Sequence, residues 1–314
     1  MDKLETILTL MRLPGVGPAR IRRALAVLGE SGMPIEEAFS ASGRRLLTAG
    51  GVSPSAPQAV IGHVAEQLRR ESVHCLVAPF GEFALPDSAR KNLPPVLFAI
   101  GPTRLMAAPS VGFCGSRGAT GRGLEVAADI AEQVAGQGFN VVSGGAKGVD
   151  ITAHRTALAS GGTTTVVLAE GILQYRMRQE LRAVFDPART LVVSEFFPDA
   201  PWLAGRAMQR NRTICALSRA MVLIEARRTG GTFAAGEAAL AMGVPLFTAD
   251  YSTKLESSIG NRILLDRGAI ALRQSRATGR ANLTRLLATA RGQDAGKQDG
   301  VGGSAVGQQE LFAR

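Results

Sequence analysis

Apolar residues recur at helical spacing near the start of the chain, at Leu4, Ile7, Leu8 and Met11. The stripe resumes after Leu13-Pro14-Gly15-Val16-Gly17-Pro18 and runs on to Leu28. A period near 3.6 predicts short amphipathic helices, so residues 1–70 read as a small all-helical domain. Two glycines flanking an apolar residue predict a tight turn between two of these helices. The turn opens the second helix with bare backbone N–H groups. Arg20, Arg22 and Arg23 follow in its first turns, a setting that suits a phosphate. The same turn would serve plain helix packing.

Residues 71–105 read as a connector with a strand over Val73–Ala78 and an apolar run over 95–101. From 110 to about 272 the pattern becomes regular. Short apolar runs at 111–114, 140–142, 163–169, 190–193, 220–225 and 244–248 alternate with helical stretches near 121–137, 149–160, 206–217 and 231–242. Strands that are apolar throughout, joined by helical crossovers, predict an α/β fold, a doubly wound and mostly parallel sheet covered on both faces. This second domain is expected over 71–275. Large apolar residues thin out beyond it, and Gly292–Gln309 is rich in Gly, Gln, Asp, Lys and Ser. A flexible tail is expected over 276–314.

Composition adds charge to this picture. The chain of 314 residues has 36 Lys and Arg against 26 Asp and Glu, a net charge of +10. An excess of that size attracts polyanions. The three cysteines are too few and too scattered for a disulfide framework or a Cys-based zinc site. No apolar run reaches the ~18 residues of a membrane span, and the acidic start is unlike a signal peptide. A cytoplasmic setting with no membrane partner is expected.

In a parallel sheet, the loops after the strands emerge on one edge, and ligands bind there. That edge collects Gly115, Ser116 and Arg117 after the first core strand and Ser143, Gly144 and Lys147 after the second. Later come Arg210, Asn211 and Arg212, then Thr229 and Gly230 beside Arg227 and Arg228. Glycines and hydroxyls at helix starts, with bases beside them, are the ingredients for holding several phosphates in a row. The Gly112–Gly118 run lacks the G-x-G-x-x-G spacing, and the Lys147 loop lacks the spacing and Ser/Thr of a P-loop, so no nucleotide cofactor is expected. No metal site and no catalytic residue are expected either. Asp150 and His154, one helical turn apart, read as a structural hydrogen-bonded pair rather than a catalytic one. Glu195 and Glu225 end strands, either as a carboxylate pair or as positioners of the arginines.

These residues carry a resemblance. The turn at 13–18 resembles a helix-hairpin-helix, and the helical domain over 1–70 resembles a helix-hairpin-helix or sterile-alpha-motif-like domain. The series Val111–Arg117, Val142–Asp150 with Ala153-His154, Ser194-Glu195, Arg210–Arg212 and Thr229–Thr232 resembles the DNA-processing protein A (DprA/Smf) family. Pro94–Gly101 resembles that family's lead-in, and Gly260-Asn261-Arg262 with Gly268-Ala269 its closing segment. The resemblance spans about 75–272. It implies an extended Rossmann-like domain that binds single-stranded DNA, protects incoming strands and loads a RecA-type recombinase in natural transformation. It also implies a homodimer that is not an enzyme. Carried over by motif, Gly115, Ser116, Arg117, Ser143, Gly144, Lys147, Arg210, Asn211 and Arg212 become DNA-contacting residues. Aromatics are scarce near those loops, so phosphate contacts are expected to dominate. The chain departs from the family at Tyr175-Arg176, at Thr248–Tyr251 and at Thr229-Gly230-Gly231, and the expected tail stands where the family often has a winged helix. A specialised role in defence or on a mobile element fits those departures.

Gln308-Gln309-Glu310-Leu311-Phe312 is similar to the peptide by which bacterial replication proteins dock into the β sliding clamp. Gln308, Leu311 and Phe312 would be its anchors. Two other functions stay open. Thr229–Thr232 with Glu237 is faintly similar to the Rossmann-like nucleoside monophosphate N-glycosidases, with Glu237 as the catalytic carboxylate. A nucleotide-binding sensor domain would hold a small phosphate ligand at the same edge.

Overall fold

The computed structural model describes residues 1–53, 60–78, 92–251 and 256–293, together with the backbone of 309–310. The chain forms two compact units. The first takes in 1–100, 170–175 and 193–202, and the second takes in 101–169, 176–192 and 203–314.

The first unit opens with four helices, α1 (Lys3–Arg12), α2 (Pro18–Glu30), α3 (Ala41–Ala49) and α4 (Val60–Arg70). Asp2 starts α1 with a reciprocal cap: its Oδ1 accepts the Glu5 N–H at 2.9 Å, and the Glu5 carboxylate accepts the Asp2 N–H at 3.4 Å. Gly15, at φ +70°, makes the turn that an L side chain would resist, and Pro18 begins α2 where a missing N–H loses nothing. Ile7, Leu8, Leu25, Leu28, Leu47 and Leu68 are fully buried, each worth roughly 1.5–3 kcal/mol of transfer free energy. A Cβ on Gly50 would stand 2.7 Å from the Ala24 Cα, so only glycine lets the end of α3 approach α2 this closely. The helices are followed by an antiparallel pair, β1 (His74–Val77) and β2 (Val96–Ile100), in register from His74↔Ala99 to Val77↔Val96. The first unit therefore continues to residue 100 instead of closing at 70.

The arginines of the 13–18 turn are not equivalent. Arg22 turns inward and donates to the Leu93 carbonyl, where burial lowers its pKa. Arg20 donates from Nη1 to the Gly15 carbonyl at 3.0 Å and so braces the turn. Arg23 is exposed. Arg22 leaves the set of phosphate candidates because its guanidinium is engaged in the fold.

The second unit alternates strand and helix as expected: β3 (Ser110–Cys114), α5 (Gly121–Gly136), β4 (Asn140–Gly144), α6 (Val149–Ala159), β5 (Thr164–Val167), α7 (Gln179–Arg182) and β6 (Thr190–Ser194). Then come α8 (Ala204–Ala216), β7 (Ala220–Leu223), α9 (Gly231–Ala241), β8 (Leu246–Ala249), α10 (Ile259–Asp266) and β9 (Ile270–Leu272). The spatial order is β6-β5-β4-β3-β7-β8-β9, with β6 passing into the first unit at its last two residues. The pairs β3–β4, β3–β7, β4–β5, β7–β8 and β8–β9 are all parallel. Val111, Phe113, Val141, Val222 and Phe247 from the strands share one core with Val126, Ile130 and Val134 of α5. This is the doubly wound α/β arrangement the apolar runs predicted.

Residues 276–293, expected as the start of a flexible tail, are structured. α11 (Thr284–Arg291) sends Leu286 and Ala290, both fully buried, into that same core. Asp129 of α5 accepts the Ala281 N–H at 2.6 Å and pairs with Arg280 at 2.5 Å. Gly292, at φ +77°, ends α11. A short helix of Leu, Ala and Thr gives too weak a stripe to stand out beside a Gly-rich segment. Gln308, Leu311 and Phe312 lie outside the described residues. The backbone of β11 (Gln309–Glu310) pairs antiparallel with β10 (Gln274–Ser275). Among the described residues, no helix is long and apolar enough to cross a membrane, and no group of His, Cys, Asp and Glu could hold a metal ion.

Candidate nucleic-acid interface

The chain runs outward from β3 through β4 and β5, then returns to lay β7, β8 and β9 on the other side of β3. The switch therefore lies between β3 and β7, and the loops after the parallel strands share one edge. Two of these loops are interlocked. A Cβ on Gly115 would stand 2.3 Å from Val149, and one on Gly148, at φ +79°, would stand 2.4 Å from the Ser116 carbonyl. The Ser116 N–H donates to the Glu225 carbonyl at 3.1 Å, which ties the β3 loop to the end of β7. Glycine is required at both positions by close approach.

Glu225 settles what the switch point can hold. Its buried carboxylate accepts the Thr120 N–H at 3.0 Å and the Thr120 hydroxyl at 2.5 Å. Thr120 in turn caps α5 by accepting the Gly123 N–H at 3.0 Å. A Cβ on Gly123 would stand 2.6 Å from the Glu225 Oε1. In dinucleotide-binding sheets the pyrophosphate sits at this first helix N-terminus. Here the protein's own carboxylate fills it, and a phosphate would meet like charge. Glu225 therefore braces the start of α5.

Behind the loops lies a buried polar frame. Ser143, fully buried, donates to the Phe113 carbonyl at 2.8 Å. Asp150, 5% exposed, accepts the Ala146 N–H at 3.3 Å and so holds the 143–148 loop. Burial pushes the Asp150 carboxyl up, while the nearby Arg210 guanidinium draws it back down. Arg210, 6% exposed, lies against Gly144, where any Cβ would overlap its guanidinium, and donates from Nη1 to the Val167 carbonyl at 2.8 Å. Asn211, also buried, donates to the Gly231 carbonyl at 3.2 Å, which joins α8 to the start of α9. Of the expected DNA-contacting residues, Ser143, Arg210 and Asn211 are buried with side chains that donate to backbone carbonyls, and Gly144 lies against the Arg210 guanidinium.

His154 does not pair with Asp150 either. Its Nε2 donates to the Gly144 carbonyl at 2.8 Å, and its Nδ1 lies 2.6 Å from the Thr164 hydroxyl. A carbonyl only accepts, so the Nε2–H tautomer is required; the Thr164 hydroxyl beside Nδ1 itself donates to the Val141 carbonyl at 2.7 Å. Burial pushes the ring down to about 4, far below the ordinary 6.5. The unfolded chain therefore takes up a proton first as the pH drops. His154's contribution to stability is complete above about 6.5 and is lost between 6.5 and about 4, a change of about 3 kcal/mol. Asp150, with a raised pKa, has the opposite sign, gaining stability as the pH falls. Urea unfolding of the wild type and of His154→Gln at neutral pH and at the lower end of that window separates the two. The wild type is expected to lose about 3 kcal/mol more than the variant. Equal losses would contradict the assigned tautomer and burial.

What the edge presents to solvent is basic. Arg117 and Lys147 are exposed on the interlocked loops, and Arg212 is exposed on α8. Arg227, Arg228, Thr229 and Gly230 are all exposed just before α9. Gly230, at φ +110°, starts that helix with no side-chain cap and no acidic residue in its first turn. Gly115 and Ser116 are half-buried, and the Ser116 hydroxyl accepts the Gly118 N–H at 3.1 Å. The sequence reading missed Arg178, half-buried, whose Nε donates to the Gly145 carbonyl at 3.2 Å and braces the Lys147 loop. No spacing rule links those two positions. Burial pushes the Cys114 and Cys215 thiols up, so neither is a thiolate nucleophile at neutral pH. Glu237, the candidate glycosidase carboxylate, stands exposed on α9 and pairs with Arg267 at 2.5 Å.

Residues 82–279 match the family model for DNA recombination-mediator protein A. A Mycobacterium tuberculosis protein carrying the DNA processing name DprA is 35% identical over 179 residues, 56% of this chain and 46% of that protein. The chain thus spans about half the length of the curated relatives it matches. The DNA processing protein A structure from Streptococcus pneumoniae superposes with a TM-score of 0.67 at 22% identity, over 86% of this chain and 95% of that one. A DNA processing protein A from Helicobacter pylori, solved for its single-stranded DNA binding mode, superposes with a TM-score of 0.53 at 26% identity, over 63% of this chain and 90% of that one.

Proposed function

The chain belongs to the DNA recombination-mediator protein A family, and on that premise we propose that it binds single-stranded DNA along the strand-end edge of its parallel sheet. One observation carries the reading. The edge exposes Arg117, Lys147, Arg212, Arg227 and Arg228, while the helix N-terminus that would take a nucleotide's pyrophosphate is filled by Glu225. Several exposed cations, with the nucleotide's usual phosphate position taken by a carboxylate, suit a polymer of phosphates better than a small nucleotide. The single-stranded DNA bound by the Helicobacter pylori relative supports the same ligand.

The finer reading is a recombination mediator. It shields single strands and hands them to a RecA-type recombinase in the cytoplasm, as a homodimer, in natural transformation or a related uptake or defence process. It binds without a catalytic step. The helix pair around the 13–18 turn adds Arg23 as a further phosphate contact, and the 308–312 peptide adds clamp docking. Digestion of labelled oligo-dT by a single-strand exonuclease, followed by recombinase filament assembly on the protected strand, tests this reading. Protection and faster assembly are expected. Rapid digestion at saturating protein would overturn it. The glycosidase alternative predicts free base released from nucleoside monophosphates; the exposed, ion-paired Glu237 predicts none.

A further inference from the structure

Phosphate contacts alone cannot tell a single strand from a duplex, since both offer phosphates. Within the second unit, the loop between β7 and α9 carries a second kind of surface beside its cations. Met208 of α8 is 46% exposed, and Ile259, the first residue of α10, is 43% exposed. The loop joins them. At its far end, the Met208 Sδ lies 3.7 Å from where a Cβ on Gly231 would stand. At its near end, the Gly260 N–H donates to the Ala226 carbonyl at 2.8 Å, and a Cβ on Gly260 would stand 2.3 Å from the Arg227 carbonyl oxygen. Two exposed apolar side chains thus stand at the two ends of one loop, with Arg227, Arg228, Thr229 and Gly230 exposed between them. All of these residues belong to the second unit. Among the described residues only three other large apolar side chains stay exposed, so this pair beside two cations calls for an occupant.

Charge selects the occupant. Residues 226–236 hold Arg227 and Arg228 and no Asp or Glu. The exposed Glu256, in the turn before α10, stands on the Ile259 side. A ligand for this loop must offer apolar faces and negative charge together. Unpaired nucleobases on a phosphate backbone do so. A duplex keeps its base faces stacked inside, and its backbone would leave both apolar side chains uncovered. We propose that Met208 and Ile259 contact unpaired bases of bound single-stranded DNA, while Arg227 and Arg228 hold the phosphates between them. The inference rests on the DNA-binding reading above and names the groups that make the interaction prefer single strands.

The Met208 thioether makes the test direct, because an exposed methionine is oxidised to its sulfoxide by dilute peroxide and a covered one is protected. The full chain is oxidised alone, with saturating oligo-dT and with the matched duplex, and the Met208 peptide is followed by mass. Oxidation is expected to slow several-fold with the single strand and to stay nearly unchanged with the duplex. In anisotropy titrations, Met208→Ser/Ile259→Ser is expected to weaken oligo-dT binding about tenfold, and Met208→Leu, which keeps an apolar surface, to stay within about threefold of the wild type. Both side chains are exposed, so the variants should unfold at the wild-type denaturant midpoint. On a base-free abasic strand, the wild type and the double variant should bind alike. Met208 oxidised as fast with oligo-dT bound as without it, or a double variant that binds oligo-dT as the wild type does, would overturn the base contact and leave the phosphate edge standing. Equal weakening on the abasic strand would overturn it too. No anisotropy rise for the wild type would overturn the DNA-binding reading and the base contact with it.

Discussion

Replacing Arg210 with alanine is expected to destabilise the protein by about 3–5 kcal/mol, whatever it does to DNA binding. The guanidinium is almost completely buried, donates to the Val167 carbonyl and lies near the buried Asp150. Its removal takes away the larger of two positive charges acting on Asp150, leaves the Val167 carbonyl without this donor, and opens a cavity against Gly144. Asp150 holds the Ala146 N–H, so the Lys147 loop should loosen at the same time. Denaturant unfolding of Arg210→Ala beside the wild type checks this. A shift below about 1 kcal/mol would mean that the guanidinium is a surface contact after all. Gly144→Ala should behave like Arg210→Ala for the mirror reason, since its methyl group would occupy the guanidinium's place.

Removing the exposed cations should have the opposite profile. Arg117→Ala/Lys147→Ala is expected to fold normally, because both side chains are exposed and exposed substitutions usually stay within about 0.5 kcal/mol. Single-strand affinity should fall by roughly thirtyfold at low salt, about 1 kcal/mol for each lost charge–phosphate contact. The slope of log affinity against log salt should flatten by about 1.4, at about 0.7 per phosphate released. Anisotropy titrations across a salt series read both quantities. A change in affinity without a change in slope would point to lost structure instead of lost phosphate contacts.

Much of this fold was legible in the sequence because its strands are buried on both faces. Residues 110–114 and 190–194 are buried at every position, so a continuous apolar run marks each of them. The strand-end glycines were legible too, since Gly115 and Gly148 are needed for close approach. What the motif obscured was which side of a helix its residues take. Arg210-Asn211-Arg212 reads as three polar contacts in a row. Helical spacing places Arg210 with Thr213, Ile214 and Leu217, all buried, and turns Arg212 outward. That period was present in the sequence and outranks the chemistry of the triplet. The carboxylate of Glu225 at the start of α5 had no such signal, because 105 residues separate it from Thr120 and only the sheet order brings them together.

The measurement that tests the account most directly is the affinity of the full chain for labelled oligo-dT and for a matched duplex, across a salt series, for the wild type and for Arg117→Ala/Lys147→Ala. The account predicts tighter binding of the single strand, a steep salt dependence, and a weaker, flatter response in the folded double variant. Equal affinity for the two nucleic acids, or a folded double variant that binds as the wild type does, would contradict a single-strand site on the strand-end edge.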